Sequence, residues 1–197
     1  MSDGKSSPAP TVEAYHAAAL AYLGRFASSA DNMRRVLQRR AYREARRAGT
    51  SPDQATLAPV IDAVIARLER AGLIDDASYA EIRAGSLNRR GESGRRIRAR
   101  LRSKGVGSEA IDRAIETLRQ DDGDAEFRAA CRVARRRRIG PARAPSARAA
   151  LREKDMAALA RAGFDYETVR RVIALDDDAA LDAAIAAAES ADGSEGR

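Results

Sequence analysis

Large apolar residues recur three, four and seven positions apart along most of the chain, and this spacing predicts a series of short amphipathic helices. The strongest stripe consists of Leu57, Ile61, Val64, Ile65 and Leu68. Serine, aspartate and proline precede several stripes, and glycine follows them, as is usual at helix starts and ends. β-branched residues are sparse, so we predict an all-α protein.

Two of the predicted helices depend on few large side chains. The helix from Glu13 to Phe26 is expected to place Leu20, Leu23 and Phe26 on its apolar side, with Tyr15 and Tyr22 beside them. A later helix is marked by Tyr79, Ile82 and Leu87. Asp75-Asp76 stands immediately before that helix, where a carboxylate accepts hydrogen bonds from free backbone N–H groups. We therefore interpret this pair as a helix cap rather than a metal site.

An internal repeat is visible in the second half of the chain. Residues Leu101, Gly105, Val106, Ile111 and Ile115 correspond, 58 positions later, to Leu159, Gly163, Phe164, Val169 and Ile173. Each set describes a helix, a glycine stop, an apolar turn residue and a second helix. The N-terminal third fits the same scheme with a longer connection. We predict an elongated array of three tandem three-helix units at 12–72, 73–120 and 121–176, flanked by a disordered tail at 1–11 and an acidic helical or disordered tail at 177–197.

The composition supports this fold and limits the chemistry that the chain supports. Of 87 hydrophobic residues in 197, 44 are alanine and only 34 are Val, Ile, Leu or Phe, which is too few for one large core. One cysteine, Cys131, and one histidine, His16, make a zinc site or a Cys–His dyad implausible. No phosphate-binding loop is present. We therefore expect no enzymatic activity, no metal and no cofactor.

The same composition indicates where the protein resides. No apolar run reaches the roughly 20 residues that a bilayer span needs. The first ten residues lack the apolar segment of a signal peptide. A single cysteine excludes an internal disulfide and favours a reducing compartment. We therefore expect a cytoplasmic protein without a membrane partner.

Charge is concentrated in blocks. The net charge is +7, and 33 of the 36 basic residues are arginine. Three blocks, Arg34 to Arg47, Arg83 to Lys104 and Arg128 to Lys154, hold seven, nine and ten basic residues against one acid each. A genome rich in arginine codons explains single positions. Blocks of this density repel themselves, however, and favour an acidic partner.

The middle block forms the main candidate binding surface. Two rows of basic residues flank a narrow seam formed by Ile97 and Leu101, and they consist of Arg95, Arg98 and Arg102, and of Arg96, Arg100 and Lys104. A second cluster is Arg135, Arg136, Arg137 and Arg138. Guanidinium groups bind phosphate and carboxylate oxygens in pairs. Aromatic residues do not alternate with either cluster, so phosphate tracking or docking on an acidic protein groove fits better than base stacking. We expect Arg34, Arg35 and Arg39 to contribute less.

Several segments carry a family resemblance. Residues 71–80 read AGLIDDASYA, residues 88–91 read NRRG, and residues 97–106 read IRARLRSKGV. Together with Tyr22-Leu23 and the late LARAGF at 159–164, these segments closely resemble the signature of RecX regulatory proteins, over about residues 11–175. The connection from Arg39 to Pro52 and the stretch from Ile139 to Ala150 depart from the family pattern.

The resemblance implies a function in DNA repair, recombination and the SOS response. Members of the family bind within the groove of the RecA–DNA filament, block its growth or promote its disassembly, and so inhibit its recombinase, ATPase and coprotease activities. The expected partners are therefore the RecA filament and DNA, bound without sequence preference by a monomer. The residues alone leave a second hypothesis open, which is a stand-alone helical DNA-binding protein that tracks the phosphate backbone.

Overall fold

The computed structural model of the protein describes residues 10–187. Over that range it contains ten α-helices, one short 3-10 helix and no strand, so the all-α prediction is confirmed. The outer parts of the two predicted tails, residues 1–9 and 188–197, lie outside the described range. The α-helices are α1 (Val12–Leu23), α2 (Ala30–Arg47), α3 (Gln54–Arg70), α4 (Asp76–Arg89), α5 (Gly94–Ser103), α6 (Ser108–Asp121), α7 (Ala125–Arg137), α8 (Pro145–Arg161), α9 (Tyr166–Ile173) and α10 (Asp178–Ala186), and the 3-10 helix is Gly140–Ala142.

The helices group into two compact units. The first contains the described residues up to Tyr79 together with Ser103–Gly107, and the second contains Ala80–Arg102 together with the described residues from Ser108 onward. The three-repeat boundaries and the elongated form of the array stay predictions. In the first unit, α1, α2 and α3 enclose one core, whose fully buried members are Ala19, Met33, Leu37, Leu57, Ile61, Val64, Ile65 and Leu68.

The core of the second unit is built largely from small residues. α7 contributes Ala129, Ala130, Cys131, Val133 and Ala134, all buried, and α8, α9 and α10 pack around it. Cys131 is therefore a buried core residue, as its Ala-rich surroundings indicated. α10, which begins the predicted acidic tail, packs on α7 through the buried side chain of Leu181.

Of the predicted cap pair Asp75-Asp76, Asp75 caps α4, while Asp76 lies inside that helix and accepts from the Ala30 N–H of α2. The Asp75 carboxylate accepts hydrogen bonds from the backbone N–H groups of Ala77 and Ser78 at 2.9 and 3.2 Å. Ser29 caps α2, since its hydroxyl accepts from the Asn32 N–H at 3.3 Å. Asp177 caps α10 in the same way. These polar residues fix where the helices begin, because the first N–H groups of a helix have no partner within it.

The predicted apolar faces of α1 and α4 are wrong at Leu20 and Ile82, and Phe26 lies beyond the end of α1. Leu20 and Phe26 are 40% and 52% exposed, while Tyr15 and Ala19 are the buried residues of α1. Ile82 is 74% exposed, because α4 turns a different face, which carries Ala80, Ala84 and Leu87, toward the core. Alanines on a buried face let neighbouring helices approach closely, and this packing determines which side of each helix faces inward.

The 58-residue register corresponds to a repeated structure. Gly105 and Gly163 both follow the last residues of a helix with positive φ values of 75° and 100°. The next residue in each turn, Val106 or Phe164, is buried. Of the apolar residues at the paired positions, only Ile173 is partly exposed. Because glycine adopts positive φ without steric penalty, it ends each helix and directs the following apolar residue into the core.

The start of another helix packs against each of these glycine turns. In the second unit, the Ser93 hydroxyl donates to the carbonyl oxygen of Ala162 at 2.9 Å and accepts from the Arg96 N–H at 3.4 Å. In the first unit, the Ser29 hydroxyl likewise donates to the carbonyl oxygen of Lys104. Lys104 and Ala162 are equivalent in the 58-residue register. A serine that caps a helix therefore also binds the turn in both units.

A carboxylate and an arginine complete each contact. The first N–H of α2, from Ala30, donates to Asp76 at 2.8 Å, and the first N–H of α5, from Gly94, donates to Glu126 at 2.9 Å. Arg35 donates to the Ser103 carbonyl oxygen at 2.8 Å, and Arg96 donates to the equivalent carbonyl oxygen, that of Arg161, at 3.4 Å. The two contacts thus share the same three kinds of hydrogen bond.

The start of α8 is built differently. Its N-cap residue, Ala144, makes no side-chain cap hydrogen bond, and Pro145 occupies the first turn. The connection before α8 is instead held by Asp155, a buried carboxylate that accepts from the Gly140 N–H at 2.9 Å and from two nitrogens of Arg143 at 2.6 and 2.7 Å. The stretch that departs from the family pattern is therefore ordered by a buried ion pair.

Candidate partner-binding surface

α5 carries the densest positive charge of the predicted binding surface. Five of its ten residues are arginine, and its buried residues are Ile97 and Leu101. These two positions lie four apart on one side of the helix, so the arginines occupy the remaining circumference. Ile97 and Leu101 thus form the narrow apolar seam that the sequence predicts.

The N-terminus of α5 is fixed by buried polar contacts. Ser93 is fully buried between the helix start and the Ala162 carbonyl oxygen. Glu126 accepts from the Gly94 N–H at 2.9 Å. Burial raises the pKa of the Glu126 carboxyl, while the Gly94 hydrogen bond and the nearby Arg119 and Arg98 act in the opposite direction. The orientation of the α5 arginines therefore follows from a firmly held helix start.

The α5 arginines differ in whether they already have a hydrogen-bond or ion-pair partner within the protein. Arg98 contacts Asp112 at 3.4 Å, and Arg100 contacts Glu92 at 2.7 Å. Arg96 donates to the Arg161 carbonyl oxygen. Arg95 and Arg102 are exposed and make no side-chain hydrogen bond or ion pair within residues 10–187. Seven positions separate them, so they lie on one side of the helix about 10 Å apart along its axis.

Lys104 does not continue the α5 row as the sequence predicts. α5 ends at Ser103, and Lys104 falls in the turn that belongs to the first compact unit. Its ammonium group donates to the Asn32 side-chain oxygen at 3.4 Å. Because the helix has ended, the spacing of Arg96, Arg100 and Lys104 no longer places all three on one helical face.

The second predicted cluster lies at the C-terminus of α7. All four of its arginines are exposed, and they point in several directions because successive helical residues differ by about 100°. Arg135 pairs with Asp182 of α10 at 2.6 Å, and Arg136 donates to the Arg90 carbonyl oxygen at 3.0 Å. Arg138 ends the helix in a left-handed conformation, with φ of 53°. Arg137 and Arg138 keep unpaired guanidinium groups within the described range.

A groove in the second unit adds two arginines that the sequence analysis missed. Arg95 and Arg98 line this groove together with Arg119 of α6 and Arg171 of α9, and four carboxylates also line it, namely Asp122, Glu126, Asp165 and Glu167. Arg171 also pairs with Asp124 at 2.8 Å and lies 4.2 Å from the centre of the Phe127 ring. Nothing in the sequence indicates that these four arginines line one groove, because Arg119 and Arg171 lie outside the dense basic blocks.

The unpaired guanidinium groups determine what the surface binds. Each offers several N–H donors in a plane that matches phosphate or carboxylate oxygens. Among residues 10–187, no group of three or more His, Cys, Asp or Glu side chains is arranged to hold a metal ion. No helix of the described chain has the length and apolar content needed to cross a membrane. The exposed guanidinium groups themselves are suited to an anionic ligand.

Comparison with known sequences identifies relatives over most of the chain. Residues 75–115 match the family model described as RecX, second three-helix domain. A regulatory protein RecX of Myxococcus xanthus is 37% identical over 158 residues, which cover 79% of this chain and 82% of that protein. A regulatory protein RecX of Chlorobaculum tepidum is 29% identical over 153 residues, covering 77% and 90% of the two chains.

Two solved structures share the fold. A crystal structure of regulatory protein RecX aligns with a TM-score of 0.60 at 20% identity, over 82% of this chain and 70% of that one. A RecX crystal structure from Lactobacillus salivarius aligns with a TM-score of 0.57 at 18% identity, over 82% and 94% of the two chains. At these identities the structures support the helical architecture.

Proposed function

Because the chain belongs to the RecX family of regulatory proteins, we propose that it regulates the RecA recombinase by binding the RecA–DNA filament. Binding in the filament groove then inhibits strand exchange, ATP hydrolysis and coprotease activity. The proposal gives the protein no catalytic step, and its partners are RecA and DNA. This regulation belongs to DNA repair, recombination and the SOS response in the cytoplasm.

The exposed charge of α5 is the observation that carries the proposal. Arg95 and Arg102 lie opposite the buried Ile97 and Leu101 and have no intramolecular acceptor within residues 10–187. An exposed guanidinium contributes little to folding. When the guanidinium faces phosphate or acidic side chains in a groove, it contributes to the affinity and to the rate of association. Arg98, Arg137 and Arg138 extend the proposed surface.

The direct test is the single-strand-dependent ATPase activity of RecA. The protein is added at amounts well below those that would coat the DNA, and we expect hydrolysis to fall. Inhibition should weaken steeply as salt rises, because the binding of basic residues to phosphates releases counterions. An ATPase rate that stays unchanged until the DNA is fully covered would contradict regulation of the filament.

A stand-alone DNA-binding protein is the second candidate, and the high arginine content favours it. Such a protein would inhibit RecA only by competing for DNA. In that case the concentration for half inhibition would rise in proportion to the total DNA at a fixed amount of RecA. For a regulator that binds the filament, the concentration for half inhibition should instead rise in proportion to the number of RecA filaments.

A further inference from the structure

The C-terminal half of α2 carries a further group of exposed arginines, in addition to those of α5. Arg39, Arg43, Arg46 and Arg47 are all exposed. Their spacing of i, i+4, i+7 and i+8 places them on one side of the helix, over about 12 Å of its length. The opposite side holds the buried residues of the helix, namely Met33, Leu37, Ala41 and Ala45. The arginines therefore point directly away from the core.

These four side chains differ from the other arginines of α2 in having no acidic partner. Arg34 pairs with Asp62 at 3.3 Å, Arg35 with Asp31 at 2.6 Å, and Arg40 with Glu44 at 2.7 Å. The four arginines of the face make no side-chain ion pair or hydrogen bond within the described chain. The unpaired groups thus lie together on the outward side of one helix.

The helix dipole explains only part of this arrangement. Cations are stabilised in the last turn of a helix, which is where Arg46 and Arg47 lie. Arg39 and Arg43 lie one to two turns earlier, where the effect of the helix end has faded. Four like charges so close together repel one another unless an anion binds to them. The face therefore fits a ligand that carries several regularly spaced negative charges.

An aromatic ring lies at the edge of the arginine face. Tyr42 is 54% exposed and is next to Arg46 in the helical projection, about 40° away. Its hydroxyl accepts a hydrogen bond from the Gln54 side-chain amide at 2.8 Å, which orients the ring without covering it. An exposed ring among arginines supplies base stacking beside phosphate contacts, which is the combination that single-strand-binding surfaces use.

We infer that this face of α2, formed by Arg39, Tyr42, Arg43, Arg46 and Arg47, binds single-stranded nucleic acid. The arginines contact consecutive phosphates, and Tyr42 stacks on an unpaired base. The inference does not depend on RecA, because the face is expected to bind an oligonucleotide by itself. It also gives a function to the arginine-rich connection that departs from the family pattern.

The test measures binding of the full chain to a fluorescein-labelled oligo(dT) of about 30 nucleotides, by fluorescence anisotropy at about 50 mM salt, without RecA. The variant replaces Arg39, Arg43, Arg46 and Arg47 by Gln. The matched control replaces Arg67, Arg70, Arg152 and Arg170 by Gln, which are also exposed and have no acidic partner in the described range. We expect the α2 variant to bind about 30- to 100-fold more weakly and the control to change by less than about threefold.

The salt dependence of oligonucleotide binding and the variants of Tyr42 test the inference in two further ways. Loss of four phosphate contacts should reduce the slope of log affinity against log salt by roughly 3. Tyr42→Ala should weaken binding about tenfold, while Tyr42→Phe, which keeps the ring, should not. On an oligonucleotide without bases, Tyr42→Ala should have no effect. A double variant of Arg39 and Arg43 should lose an intermediate amount, and circular dichroism verifies that each variant is folded.

Three results would overturn the inference. Equal losses for the α2 variant and the control would show that only net charge matters. Unchanged oligonucleotide binding by the α2 variant, with lost inhibition of RecA, would assign the face to an acidic protein surface instead. Equal effects of Tyr42→Ala on oligonucleotides with and without bases would exclude stacking. Failure of the RecA assay alone would leave the oligonucleotide result unaffected, so the two proposals fail separately.

Discussion

The hydroxyl of Ser93 donates a hydrogen bond to the carbonyl oxygen of Ala162 at 2.9 Å, and so joins the start of α5 to the turn before α9. Gly163, the next residue in that turn, has a φ of 100°, and a Cβ atom there would overlap the Ser93 hydroxyl oxygen. Glycine is therefore needed for two reasons, its backbone conformation and the close approach of a helix.

Gly163→Ala should consequently destabilise the protein more than the positive φ alone explains. Gly49 provides a matched control, since its φ is 70° but a Cβ atom there would meet nothing within 4 Å. We expect Gly49→Ala to reduce the free energy of unfolding by about 1 kcal/mol. Gly163→Ala should reduce it by about 2 kcal/mol more, because Ser93 loses its partners. Urea unfolding followed by circular dichroism measures both, and equal losses would contradict the Ser93 contact.

The middle helices depend on two buried aliphatic residues. Leu101→Ala and Ile115→Ala should each reduce the free energy of unfolding by roughly 2–4 kcal/mol, the usual effect of truncating a buried side chain. Both residues are almost fully buried. Ile82→Ala is the control, because Ile82 is 74% exposed, and it should change stability by less than about 0.5 kcal/mol. A large loss for Ile82→Ala would mean that α4 faces the other way.

The Asp155–Arg143 pair predicts how stability depends on pH. Burial favours the neutral acid, but the hydrogen bonds from Arg143 and Gly140 hold the pKa of Asp155 below its ordinary value. A lowered pKa in the folded state stabilises the fold above the unfolded value of about 4, and this contribution is lost as the pH falls further. Asp155→Asn should reduce stability by about 2 kcal/mol at pH 7 and by less at pH 3. An equal loss at both pH values would contradict the prediction.

Cys131 should be unreactive in the folded protein. Burial raises the pKa of its thiol to about 11, and the thiolate is the reactive form. A disulfide reagent at pH 8 should therefore modify the native protein at least about a hundredfold more slowly than the protein unfolded in guanidinium. Similar rates in the two states would show that the core around α7 opens readily.

The sequence allows prediction of those parts of the fold that short-range chemistry determines. Asp75, Ser29 and Asp177 cap helices as their residue types indicate. Gly105 and Gly163 take the positive φ values that the repeat predicts. The predicted faces are wrong for Leu20 and Ile82, because alanines define the buried sides of α1 and α4 and carry little pattern in a chain with so much alanine. Phe26 lies beyond the end of α1.

The unpaired arginines of the candidate surface could not be predicted from the sequence in the same way. The sequence shows where arginines are dense, but not which of them carboxylates already neutralise. Arg98 and Arg100 meet Asp112 and Glu92 only through the packing of neighbouring helices. Arg119 and Arg171 enter the groove beside Arg95 for the same reason. The unpaired face of α2 likewise becomes visible only when the partners of Arg34, Arg35 and Arg40 are known.

The central claim is that α5 binds the RecA–DNA filament, and charge reversal tests it. Arg95, Arg98 and Arg102 are replaced by Glu, and a control carries the same change at Arg67, Arg70 and Arg152. The measurement is the concentration that halves the single-strand-dependent ATPase rate of RecA. We expect the α5 variant to keep its helicity and to need at least about tenfold more protein, while the control inhibits as the native chain does. A folded α5 variant with native inhibition would show that this helix is a solvated face and would contradict the account.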